Sequence, residues 1–189
     1  MLEPFGPADP PCMRMGYVIP CSIQGIGRFK TMTTSFHRRA GVFVAGVLGI
    51  DGILHAYWTT GARWPASDSQ TLSRLVLGAE NVPFTPPVVG PLAALLLTGS
   101  VMALARSGNL GRLGDAVPRR LLQLGMCAIT AGVLARSLLG IVFIATRDTG
   151  SAFYWLNLLV YTPLCLAMLA ASLLILKPSQ APVVTPGPP

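Results

Sequence analysis

The sequence predicts an all-α integral membrane protein, a four-helix bundle with a short surface helix in its first extracellular loop. Three observations carry that expectation. Apolar residues make up 52% of the chain and charged ones only 11%, against roughly 25% charged in an average soluble domain. The apolar residues fall into four blocks, each long enough to cross the hydrocarbon of a bilayer. The basic residues behind the formal charge of +7 cluster beside those blocks. That placement fits an anionic membrane face and speaks against a nucleic-acid partner.

Residues 1–39 are expected to form a disordered cytoplasmic extension. Pro4, Pro7, Pro10, Pro11 and Pro20 interrupt residues 1–31, which lack the sustained apolar core of a signal peptide. Met32, just ahead of His37, Arg38 and Arg39, is a candidate start beside Met1. The transmembrane domain is expected over residues 40–177. Its first span, 40–58, follows Arg38 and Arg39 and closes on Tyr57 and Trp58, read as an aromatic interface anchor. Gly41, Ala45 and Gly49 recur every four residues and offer a small-residue face for close helix packing.

The longest loop follows. Within it, residues 68–78 begin with cap residues at Asp68 and Ser69 and end in Gly78. Leu72, Leu75 and Val76 share one face, which predicts a short helix lying on the membrane surface. Pro83, Pro86 and Pro87 are expected to keep the chain extended up to the second span, 88–105, with Pro91 in its first turn. A basic loop leads to the third span, 121–145, which carries Arg136 between Gly132 and Gly140. The fourth span, 153–176, contains Pro163, which leaves the Leu159 carbonyl without a donor and predicts a mild kink. Residues 178–189 form a Pro-rich tail, expected to be disordered.

Orientation follows from the Lys and Arg distribution. The amino-terminal segment, the second loop and the tail hold ten: Arg14, Arg28, Lys30, Arg38, Arg39, Arg106, Arg112, Arg119, Arg120 and Lys177. The opposite side holds three, Arg63, Arg74 and Arg147. The bias puts both termini in the cytoplasm and the protein in the plasma membrane as a multi-pass protein.

The stretch from Gly49 to Trp58 puts a carboxylate and an imidazole inside an apolar run, where charges are costly and seek partners. At about 1.5 Å per residue, Asp51, His55, Arg136, Asn157 and Tyr161 reach one layer in the outer half of the membrane. Asp51, His55 and Trp58 share one helix face, and Asn157, Tyr161 and Cys165 share another. Two readings compete. In the first, Asp51 and Arg136 neutralise each other and the rest completes a network that fixes the bundle. In the second, the layer lines an outward-facing pocket for a polar or quinone-like head group, or passes protons between Asp51 and His55. A metal site is disfavoured, because no span holds a second histidine. Cys12, Cys21, Cys127 and Cys165 form no Cys-x-x-Cys, and Cys127 and Cys165 read as inert packing residues. No nucleotide-binding, hydrolase or glycosidase motif appears, so neither a catalytic residue nor a cofactor is assigned.

The combination of Leu54-His55-Ala56-Tyr57-Trp58, Pro83-Phe84-Thr85-Pro86, Arg136 and Tyr161-Thr162-Pro163-Leu164-Cys165-Leu166 resembles the bacterial membrane family catalogued as domain of unknown function 3995. The similarity runs from about Gly41 to Lys177. It implies a four-helix integral membrane protein and no assigned activity. The family's fourth-helix pattern often has an aspartate where this chain has Asn157, a departure that removes a charge from the outer layer and weakens a proton relay. The leading function is therefore a non-enzymatic accessory subunit of another membrane protein, or a binder of a lipid-like molecule. The alternative is a quinone-linked membrane oxidoreductase or a proton-coupled carrier using Asp51, His55 and Arg136.

Overall fold

The computed structural model describes residues 13–14, 17–18, 22–79 and 85–177. Pro83, Phe84 and the 178–189 tail lie outside the described residues, as do Cys12, Cys21 and the prolines of residues 1–31. The chain divides into two contact units, Met1–Phe36 and His37–Pro189. In the first, β1 (Met13–Arg14) and β2 (Tyr17–Val18) form a two-residue antiparallel pair, with Met13 opposite Val18. Everything else described is helical or loop.

Helix α1 runs Ser22–Thr59, so the helical ladder begins well before the residue 40 expected for the first span. Residues 22–39 contain no proline to stop it. Helix α2 is Ser69–Leu77, α3 Pro86–Arg106, α4 Arg112–Asp115 and α5 Arg119–Thr146. Helix α6, Ala152–Leu156, continues through a π turn at Asn157–Tyr161 into α7, Thr162–Leu176. Four stretches are long and apolar enough to cross a membrane: Ser35–Thr59, Pro86–Arg106, Arg119–Thr146 and Ala152–Leu176. Ile50, Ile53, Leu95, Leu124 and Leu159 all point outward. Such a leucine- and isoleucine-rich exterior is costly in water and neutral against lipid tails.

Two expectations about proline are corrected. Pro86 and Pro87 do not prolong the loop; they open α3, behind the extended Thr85, where the missing N–H groups cost nothing. Pro91 consequently falls in the second turn of α3 rather than the first. Pro163 does not simply leave a carbonyl orphaned. The helix takes in one extra residue, and the Thr162 N–H bonds the Asn157 carbonyl five residues back. This π turn absorbs the proline's missing donor without breaking the span.

Helix α2 starts and stops where its cap residues indicated. The Asp68 side chain accepts from the Thr71 N–H at 2.8 Å. That bond, with those from the Thr71 and Ser67 hydroxyls, holds the Asp68 carboxyl down to about 2. Gly78 closes the helix at φ 63°, and its N–H bonds the Arg74 carbonyl. A Cβ there would stand 2.6 Å from the Phe153 ring, so only glycine lets this end approach α6.

The main core draws on all four long stretches: Ala40, Val44, Ala45 and Leu48 of α1, Ala103 of α3, Met126 of α5, and Met168, Ala171 and Ile175 of α7. The small-residue face of α1 packs on α3. The Ser100 hydroxyl donates to the Ala45 carbonyl at 2.7 Å, and a Cβ on Gly49 would lie 3.2 Å from Ser100 Oγ. A Cβ on Gly41 would collide with the Ser107 side chain. A second core, Trp58, Leu72 and Val89 with Leu54, Ala66 and Val76 around it, seats α2 against α1 and α3.

Candidate functional site

The polar residues of the spans gather into two clusters. On α1, His55 Nδ1 lies 2.8 Å from the Asp51 carbonyl oxygen and 3.3 Å from Asp51 Oδ1. Both partners are acceptors, which places the proton on Nδ1. The two side chains differ in access: His55 is 11% exposed and Asp51 49%. The His55 ring meets Trp58 edge to face, with centroids 4.9 Å apart. Trp58 Nε1 donates to the Trp64 carbonyl at 3.0 Å and ties the loop to the end of α1.

The second cluster joins α5 to the π turn. Asn157, 1% exposed, donates through Nδ2 to the Gly140 carbonyl at 2.8 Å. Its Oδ1 accepts from Arg136 Nη1 at 3.5 Å and from the Thr162 hydroxyl at 3.4 Å. The Arg136 guanidinium also stands over the Tyr161 ring, 5.7 Å from its centroid. Tyr161 donates its hydroxyl to the Leu75 carbonyl at 3.4 Å, so the layer is bonded directly to α2.

The expected neutralisation of Asp51 by Arg136 is not a direct contact. Among the described residues Asp51 pairs with His55, and Arg136 with Asn157 and Tyr161. A helix-local partner one turn away needs no adjustment of one helix against another, and it takes the carboxylate. All six anticipated residues, Asp51, His55, Trp58, Arg136, Asn157 and Tyr161, are thus engaged in one or other cluster, with Trp58 buried rather than anchoring at an interface.

Thr162 and the Gly140 carbonyl were missed by the sequence reading. The signal for Thr162 was Pro163: a π turn puts the residue five positions on, not four, beside Asn157. Gly140 has no room for a side chain, since a Cβ would collide with Thr162 Oγ1 and approach Arg136 Nη1 to 3.5 Å. Gly132, on the other side of Arg136, has open space before it. Cys165 is half-buried, but Cys127 is exposed on the outside of α5 and is not a packing residue. Among the described residues, no three His, Cys, Asp or Glu side chains come together as a metal site would need.

The separation of the two charges has a measurable consequence. In a double-mutant cycle on detergent-solubilised protein, Asp51→Asn and His55→Gln are expected to couple by about 1 kcal/mol, as contacting residues do. Asp51→Asn and Arg136→Gln are expected to add to within about 0.5 kcal/mol, as separated sites do. Stronger coupling of Asp51 to Arg136 than to His55 would contradict the pairing described.

The chain belongs to the family described as Protein of unknown function (DUF3995), whose model matches residues 48–172. That range takes in both clusters, α2 and the π turn, and it agrees with the resemblance read from the sequence. No curated protein and no solved structure matches the chain.

Proposed function

We propose that this member of the family is a non-enzymatic four-helix membrane bundle whose outer polar layer holds the head group of a lipid-like small molecule. Both termini face the cytoplasm of the plasma membrane, and α2 lies across the outer end of the helices. The observation that carries the reading is the access of Asp51. Its cluster partners His55 and Trp58 are buried, whereas the carboxylate is half exposed inside an apolar span. A network serving only to fix packing would enclose its charge. An open carboxylate at this depth favours a ligand with a hydroxyl or ammonium donor and an apolar body, lying against the outward leucines and isoleucines.

A proton-coupled carrier is the second reading, and the Asp51–His55 contact favours it. The two separate in one preparation. Protein purified in lipid nanodiscs is extracted and its bound amphiphiles are identified by mass spectrometry, beside Asp51→Asn and His55→Gln. The head-group reading expects a species enriched in the wild type and lost in Asp51→Asn. Identical lipid profiles in all three proteins would overturn it. Proton flux in proteoliposomes that disappears in Asp51→Asn would favour the carrier.

A further inference from the structure

Near the start of the stretch Ser35–Thr59, away from the polar layer, Arg38, Arg39, Val42, Phe43 and Asn109 line an open cavity of about 330 Å³. Its walls divide by chemistry. Arg38 and Arg39 stand one helical turn before Val42 and Phe43, so each arginine shares a helix face with an apolar residue of the lining. Val42 is 53% exposed and Phe43 39%. Both belong to the membrane-capable stretch Ser35–Thr59, and the arginines lie at its edge.

The arginine end is built rather than merely charged. Arg38 Nε donates to Asn109 Oδ1 at 3.3 Å, and Asn109 Nδ2 donates back to the Arg38 carbonyl at 3.0 Å. The same Nδ2 donates to Ser107 Oγ at 2.8 Å, and Ser107 is itself held by the Ala103 carbonyl at 2.7 Å. Asn109 thus fixes the Arg38 stem through Nε, and among the described residues the two terminal amino groups of the guanidinium carry no further bond. Among the described residues, Arg39 pairs with no carboxylate and none lines the cavity. Two guanidinium groups with no carboxylate partner among the described residues, beside an apolar wall, complement one class of molecule, an anion with a hydrocarbon tail.

We infer that this cavity is a binding site for an anionic glycerophospholipid, its phosphate between Arg38 and Arg39 and its acyl chains along Val42 and Phe43. The site is separate from the outer polar layer and does not depend on what that layer binds. It also gives Arg38 and Arg39 a role beyond setting topology.

The test uses the full chain in neutral detergent, with phosphatidylglycerol and phosphatidylcholine titrated separately and binding read by native mass spectrometry. Phosphatidylglycerol is expected to bind at least about tenfold more tightly than phosphatidylcholine, and Arg38→Gln with Arg39→Gln to remove that preference. Arg39→Gln alone, at a position with no side-chain bond to lose among the described residues, is expected to weaken it several-fold and keeps the test open if the double variant folds poorly. Arg119→Gln with Arg120→Gln removes the same charge elsewhere and is expected to leave the preference intact. Equal binding of the two lipids, or equal loss in the Arg119/Arg120 and Arg38/Arg39 variants, would overturn the site. Displacement of phosphatidylglycerol by millimolar inorganic phosphate would overturn the lipid assignment and make the cavity a free-anion site.

Discussion

Trp58→Ala is expected to release α2 from the rest of the protein while leaving the four long helices in place. Trp58 is 5% exposed and packs with Leu72 and Val89 in the only core that α2 shares with α1 and α3 among the described residues. Truncating a buried tryptophan costs about 3–5 kcal/mol in soluble proteins. Here the loss falls on a nine-residue helix, too short to persist without tertiary support. The bond from Trp58 Nε1 to the Trp64 carbonyl goes with it, and the Tyr161 bond to the Leu75 carbonyl loses its partner once α2 moves. Hydrogen exchange should rise sharply across residues 66–79 and remain slow around Val44, Met126 and Met168. Trp58→Phe keeps most of the packing and removes only the indole donor, so its effect should be about 1 kcal/mol. Unchanged exchange in α2 in the alanine variant would show that this core does not hold the helix.

Trp58 also marks where sequence reading reaches its limit. An aromatic residue at the end of an apolar run is the usual sign of an interface anchor, and Tyr57 beside it is exposed. Which of the two turns inward depends on the loop folding back through Trp64 and Leu72, and no local pattern encodes that return. The helices themselves were legible because their signals are local: apolar runs for the spans, Asp68 and Gly78 for the ends of α2. The Gly41, Ala45 and Gly49 face was legible as well, though nothing in the spacing named Ser100 and Ser107 of α3 as its partners.

The polar layer shows the same division. Counting residues along a helix fixes depth, and depth placed Asp51 and Arg136 together. It does not fix the direction each side chain takes around its helix. Asp51 turned to His55 on its own helix, and Arg136 to Asn157 and Tyr161. On the fourth span, a face counted in steps of four gave Asn157, Tyr161 and Cys165. The π turn shifts that count, bringing Thr162 onto Asn157 while Tyr161 swings out to receive Arg136 on its ring and to reach α2. A single proline thereby changes which side chains the layer contains.

That shift makes Asn157 the residue on which the second cluster most depends. Asn157→Leu keeps the volume within a methyl group or so and removes every polar contact at once. The Arg136 guanidinium loses an acceptor in a part-buried position, Thr162 loses the acceptor for its hydroxyl, and a methyl group replaces the donor against the Gly140 carbonyl. Leaving a part-buried charged donor and a buried hydroxyl without their acceptor costs more than one ordinary lost hydrogen bond, so a destabilisation of about 3 kcal/mol is expected. Asn157→Asp tests the electrostatics separately. It replaces the amide donor to the Gly140 carbonyl with a second oxygen, but sets a carboxylate against Arg136, where the charge-assisted contact offsets much of the loss. Asn157→Asp is therefore expected to retain more of the melting temperature than Asn157→Leu, and to do so only while Arg136 is present. Measured in Arg136→Gln, the aspartate has no cation beside it and should become the worse of the two substitutions. If the order of the two variants is the same with and without Arg136, the guanidinium and Asn157 do not meet, and the π turn does not serve to bring them together.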